Sequence, residues 1–208
     1  MLDKWLSKTK FNKLIEKLVK RLFLNKISAN QITIIALVLG LTSALSIFLS
    51  GILIWKFELI ICAGILMVIS FFFDVLDGAL ARLSKPTTFG GILDIFSDRT
   101  VEVTIIISLI STDPLNLMWP GIFSLGAVVL CISMFLLIGG VVKEDELDEY
   151  KKAIYYRHGL MERTETFLFL FCITILIPVR FLLLWIFAGL VLFTAILRLR
   201  DAYILLKS

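Results

Sequence analysis

Long apolar stretches constrain this chain more than any other feature of it. A helix needs about 20 mostly apolar residues to cross the ~30 Å hydrocarbon core of a bilayer. Six stretches follow one another at or near that length: 32–54, 57–76, 92–110, 117–142, 167–179 and 181–197. The fifth is short, and Pro178 with Arg180 marks a tight turn into the sixth. The chain is 59% hydrophobic, where soluble domains run at about 45–50% apolar. The expected fold is therefore an all-α integral membrane domain with six transmembrane helices, not a soluble globule. Cys62, Cys131 and Cys172 lie inside apolar stretches without metal-ligand spacing, so they are expected to be reduced packing residues.

The first 26 residues differ from the rest. Leu6, Leu14, Ile15, Leu18, Leu22 and Phe23 recur near helical spacing, with Lys8, Lys13, Lys17, Lys20 and Arg21 between them. This pattern predicts an amphipathic helix over 2–24 that lies on an anionic leaflet. Residues 1–10 lack the apolar core of a cleaved signal. Two regions are expected: a juxtamembrane helix over 1–26 and a six-helix membrane domain over 27–208. With six spans, 19 of the 21 Lys and Arg residues fall on one side, and only Lys56 and Arg180 on the other. The positive-inside rule then puts both termini in the cytoplasm. The basic residues flank spans and form no aromatic-studded face, so nucleic-acid binding is not expected.

Carboxylates inside such spans demand an explanation, because they are costly in a bilayer. Asp74 and Asp77 end the second stretch, and Asp94 and Asp98 begin the third. Residues three or four apart share a helix face. The link between the stretches is short, and Pro86 and Gly90–Gly91 are expected to break helices there. An antiparallel hairpin would bring the four aspartates together on the cytoplasmic side. Two divalent cations would balance them, and oxygen-only ligands suit Mg²⁺, Mn²⁺ or Ca²⁺, not zinc. Such a pair also suits phosphoryl chemistry. Gly78 and Ala81 keep one face small, for close approach of a ligand or of another helix. Arg82 is a candidate clamp for a diphosphate.

The stretch 73–100 also resembles the signature of the CDP-alcohol phosphotransferase family, D-x2-D-G-x2-A-R-x7/8-G-x3-D-x3-D. Asp74, Asp77, Gly78, Ala81, Arg82, Gly90, Asp94 and Asp98 fill its fixed positions. The six-span layout and the amphipathic start agree with that family. The resemblance implies that Asp74, Asp77 and Asp94 are metal ligands, and that Asp98 is the general base and touches the second ion. It implies that Gly78, Ala81, Arg82 and Gly90 border the CDP moiety and that Thr87 or Thr88 offers it a hydroxyl. Asn30 and Thr33 resemble the family's P-N-x-x-T entry, with Ala29 in place of the proline. They would border the nucleotide or cap the first span.

The expected activity is transfer of a phosphatidyl-type group from a CDP-linked lipid, CDP-diacylglycerol or its archaeal analogue, to a polar alcohol, with release of CMP. Inositol phosphate, glycerol phosphate and serine are the candidate acceptors. Arg157, His158 and Arg163, in the polar connection 143–166, would meet an acceptor phosphate or act as positive-inside anchors. That connection is expected to be partly helical, and its GLMERTET segment resembles family members that make inositol-phosphate lipids. Family resemblance also implies a homodimer among membrane lipids. The main alternative is a membrane cation transporter that uses the aspartates as its ion site. A transporter would place charge near the midplane and show inverted repeats. Here the aspartates crowd one edge of the spans.

Overall fold

The computed structural model describes residues 10–23, 26–84, 86–141 and 160–207. Arg157, His158 and most of the 143–166 connection lie outside them, as do residues 2–9 of the predicted first helix. Nearly all of the described residues are helical, and none forms a strand.

Helix α1 is described over Lys10–Leu22. Its apolar positions divide between two faces. Ile15 and Val19 are buried against Leu76, Ala79 and Leu80, while Leu18 and Leu22 are exposed beside Lys17 and Arg21.

Helix α2, Ala29–Ile52, starts from a capping box. Gln31 N donates to Ser28 Oγ (3.3 Å), and Ser28 N donates to Gln31 Oε1 (2.9 Å). Two orphan donors of the first turn are thereby satisfied. Ser28 holds the cap, which leaves Asn30 free of the capping role considered for it. Helix α3, Lys56–Leu83, returns alongside α2. Two hydroxyls tie the pair: Ser43 Oγ donates to Ala63 O (2.8 Å) and Ser70 Oγ to Ala36 O (2.7 Å). Such bonds between helices replace the water that a bilayer lacks.

Helix α4, Thr88–Thr112, follows a four-residue link and crosses α2 closely. A Cβ on Gly40 would lie 2.5 Å from a Val101 methyl, so only glycine allows this approach. Gly90 and Gly91 do not break helices, contrary to expectation. They lie in the first turns of α4, where Gly90 N donates to the Oγ1 of the N-cap Thr87 (3.0 Å). The cap fixes where the helix starts, and the glycines only keep that start slender.

Helix α5, Pro114–Val141, opens with proline at its first position, where no backbone donor is lost. Helix α6, Arg163–Ile175, and a 3₁₀ turn, Ile177–Val179, lead into α7, Arg180–Leu206. The main core joins Ile47, Met67, Ile106, Leu109, Ile173 and Phe187 from five helices.

Among the described residues four helices are long and apolar enough to cross a membrane: Ala29–Ile52, Lys56–Leu83, Pro114–Val141 and Ile177–Leu206. The other two expected spans fall short for different reasons. Helix α4 carries Asp94, Asp98, Arg99 and Glu102 in its first half. Helix α6 has 13 residues, about 20 Å at 1.5 Å per residue. The outer surface of the bundle is apolar, with Val38, Leu45, Ile65, Val129, Leu137 and Phe193 exposed. Cys62 and Cys172 also face outward, so they do not pack the interior as expected. Lipid suits this surface, whereas water would drive such chains together.

Candidate active site

The α3–α4 hairpin brings the aspartates together as its spacing predicts. Asp74 and Asp77 are buried on α3, and Asp94 and Asp98 are half-buried on α4. Oxygens of Asp74, Asp94 and Asp98 lie within 4.8 Å of one another. Helix α3 runs two turns past Asp74, to Leu83, so these side chains project from helix bodies and not from a loop.

Arg163, the first residue of α6, enters this cluster. Its Nη2 pairs with Asp74 Oδ1 and lies 3.0 Å from Asp94 Oδ1 and 3.1 Å from Asp98 Oδ1. Its Nε lies 3.0 Å from Asp98 Oδ2. Asp77 sits beside the trio and faces Thr33. Its buried Oδ2 has no hydrogen-bond partner. A buried carboxylate oxygen without a donor, beside three more carboxylates, is the chemistry of a hard divalent-cation site. The donor set is all oxygen, so it fits Mg²⁺ or Mn²⁺ better than a thiophilic metal.

Two larger cavities meet at these carboxylates. One, of about 480 Å³, is lined by Asn30, Thr33, Gly78, Ala81, Thr87 and Gly90, with Asp77 and Asp94 at its edge. Gly90 is required for its shape. A Cβ there would lie 2.9 Å from Asn30 Oδ1 and 3.0 Å from Thr87 Oγ1. Arg82 and Thr88, expected at this site, do not line the cavity. Both are exposed, and the Arg82 guanidinium folds back over Gly78.

The second cavity, of about 310 Å³, lies across Asp98, among α4, α5, α6 and α7. Arg99, Arg163 and Arg198 line it. Arg198 stacks over the Phe135 ring at 4.9 Å. Arg99 pairs with the buried Glu102 one turn on. Neither Arg99 nor Arg198 was a candidate from sequence. Arg99 had the better signal, since it adjoins Asp98. Arg198 is 100 positions from Asp98, and only the fold of α7 onto α5 brings it near. Of the basic residues expected near an acceptor, Arg163 lines this cavity, together with two arginines that were not candidates.

A family model of CDP-alcohol phosphatidyltransferases matches residues 26–197. The chain belongs to this family. It is 32% identical to the Escherichia coli inner membrane protein YnjF over 71% of its own length and 73% of that protein's. It is 34% identical to the archaetidylinositol phosphate synthase of Pyrococcus horikoshii, over 46% of this chain and 47% of the relative. The fold is also that of Mycobacterium tuberculosis phosphatidylinositol phosphate synthase, PgsA1, whose crystal structure has CDP-DAG bound. The TM-score is 0.69 at 18% identity, with 94% of each chain covered.

The chain is therefore an integral membrane enzyme of phospholipid synthesis, a transferase of phosphate-containing groups. Membership sets aside the cation-transporter alternative.

Proposed function

We propose that this CDP-alcohol phosphatidyltransferase moves a phosphatidyl-type group from CDP-diacylglycerol, or a diether analogue, to a phosphate-bearing alcohol such as inositol phosphate or glycerol phosphate. One observation carries the reading: two cavities of different chemistry meet at one row of carboxylates. The cavity with Asn30, Thr33, Gly78, Ala81, Thr87 and Gly90 is open and carries no arginine in its lining. It suits a cytidine diphosphate whose charge is met at its edge. The cavity with Arg99, Arg163 and Arg198 suits a second anion. The name of PgsA1 places CDP-DAG with that fold relative, and the Pyrococcus relative is named for an inositol-phosphate lipid.

Asp74, Asp77, Asp94 and Asp98 would hold two divalent cations, Mg²⁺ or Mn²⁺. When bound, these ions would screen the donor's phosphate oxygens and stabilise the departing CMP. Asp98 faces the arginine-lined cavity, so it is placed to take the proton of the acceptor hydroxyl. The freed oxygen attacks the phosphorus distal to cytidine. A new P–O bond forms there, the bond from that phosphorus to the bridging oxygen breaks, and CMP leaves. Arg99 and Arg198 fix the acceptor's own phosphate, and Arg157 would join them from the 143–166 connection.

In the membrane we place six spans, α4 and α6 among them, with Phe96 and Ile107 of α4 and Leu168 of α6 also exposed on the apolar surface. Both termini and the active site face the cytoplasm. Helix α1, within the juxtamembrane segment 1–26, would lie at the interface with Leu18 and Leu22 toward lipid and Lys17 and Arg21 toward headgroups.

The test is mass spectrometry of lipids made by the purified protein with CDP-diacylglycerol or its diether analogue, Mn²⁺ and a panel of acceptors. Phosphate-bearing acceptors should give product with CMP release, and excess chelator should abolish it. Preference for an uncharged acceptor, or full turnover in chelator, would refute the assignment.

A further inference from the structure

A guanidinium among carboxylates is a good counter-ion, but here it stands where the reaction calls for divalent charge. Arg163 reaches Asp74, Asp94 and Asp98 at once through Nη2, with Nε 3.0 Å from Asp98 Oδ2. Its planar fork can serve several carboxylates, which a lysine ammonium does less well. One positive charge still leaves the four-aspartate group negative, and Asp77 Oδ2 without a donor. An oxygen that coordinates a divalent ion cannot accept the same guanidinium hydrogen bond, and the two cations repel each other. Arg163 also has somewhere to go. Its side chain is 32% exposed and lines the 310 Å³ cavity with Arg99 and Arg198.

We propose that Arg163 is the cluster's built-in counter-cation, which yields its carboxylates to incoming divalent ions and turns into the arginine-lined cavity. The inference rests on the proposed metal site and deepens it. Before loading, Arg163 keeps like-charged α3 and α4 from spreading at their aspartate ends. After loading, the same side chain adds positive charge where the acceptor's phosphate is to bind. Ion loading and anionic-acceptor binding then favour each other, and the coupling acts equally in both directions. An ordered sequence follows, in which the acceptor cavity becomes fully basic only once the ions are in place. Arg163 is thus a positioning residue for the cluster and, in its second position, a specificity residue for the acceptor.

The experiment measures Mn²⁺ binding to the purified full chain by calorimetry, without donor or acceptor, for wild type, R163K and R163Q. R163Q should bind Mn²⁺ roughly tenfold more tightly than wild type, a usual size for coupling between two sites. R163K should fall between them. In chelator R163Q should melt below wild type, and saturating Mn²⁺ should close most of that gap. A second readout needs no variant. Labelling of wild type by an arginine-directed dicarbonyl, followed by peptide mass spectrometry, should modify Arg163 faster with Mn²⁺ than in chelator, relative to exposed Arg82. Equal or weaker Mn²⁺ binding by R163Q overturns the proposal and leaves the metal site standing. Unchanged Arg163 labelling does the same, and it decides the matter if R163Q fails to fold. If wild type binds no Mn²⁺, the metal site itself falls and the proposal with it.

Discussion

Helix α6 is bracketed by two arginines, Arg163 at its first residue and Arg180 just past its end. Both are charged groups in an apolar bundle, yet their surroundings differ in kind. Arg180 is buried, and its Nε and Nη2 donate to the carbonyls of Ile173 and Thr174 (3.0 and 2.6 Å). Its Nη1 donates to Thr112 Oγ1 (3.3 Å). These carbonyls belong to the last turn of α6, which has no partner of its own within the helix. Donors and acceptors at that end match. At the Arg163 end one guanidinium meets an excess of carboxylates, and a buried oxygen is left over. A matched polar cluster in a membrane protein holds helices together. An unmatched one is costly, and it persists where something else must bind. On the proposed function the aspartate end is the working end, and the other end is its anchor.

The largest test of that contrast removes charge at the working end. Asp98→Asn keeps the side chain's size and takes away its basicity. It should lower kcat by about 10²- to 10⁴-fold, the usual worth of a positioned general base. Much of the binding of the CDP donor should remain, because the proposed donor cavity meets Asp77 and Asp94, and three of the four aspartates are intact. Donor titration beside steady-state kinetics separates the two effects. A parallel loss of donor affinity and turnover would make Asp98 a holding group, and the difference between the two cavities would blur.

A smaller effect is expected one cavity over. Arg198→Gln removes a cation from the proposed acceptor wall but leaves the aspartates intact. A hydrogen bond to a charged group is worth about 1.5–3 kcal/mol. The KM for a phosphate-bearing acceptor should therefore rise roughly 10- to 100-fold. The KM for the CDP donor should stay within error, and so should that for an uncharged acceptor alcohol. Equal changes for charged and uncharged acceptors would show that Arg198 shapes the bundle through its contact with Phe135.

The two ends were not equally legible in the sequence. Asp74, Asp77, Asp94 and Asp98 were readable because local spacing and one short hairpin are enough to gather them. Six helical segments were readable from apolar length, but their ends were not. Helix α3 continues to Leu83 and α4 begins at Thr88, through residues too polar to look like span. The cap at Thr87 sets that start, and it outweighs the helix-breaking tendency of Gly90 and Gly91. Arg198 and Arg180 both looked like flanking charges. The partners of Arg198 lie on distant helices, and nothing local names them. Arg180 counted only as part of a tight turn and as an exception to the positive-inside pattern. Its purpose shows once the end of α6 and Thr112 of α4 are seen beside it.

Arg180→Met is the change expected to affect catalysis least, and it tests the anchor directly. Methionine fills much of the same apolar path but donates no hydrogen bond. The carbonyls of Ile173 and Thr174 would lose their side-chain donor, at about 1–3 kcal/mol for each that finds no replacement. The protein should therefore melt measurably lower in detergent or nanodiscs at saturating Mn²⁺. Turnover per folded molecule should stay close to wild type, because Arg180 lies at the opposite end of α6 from the carboxylates. Arg180→Lys, with fewer fixed donors, should fall between the two in stability. If turnover fell while melting did not, the two ends of α6 would be coupled through the helix. Arg163 could then not be considered apart from Arg180, since a shift of α6 along its axis would move both.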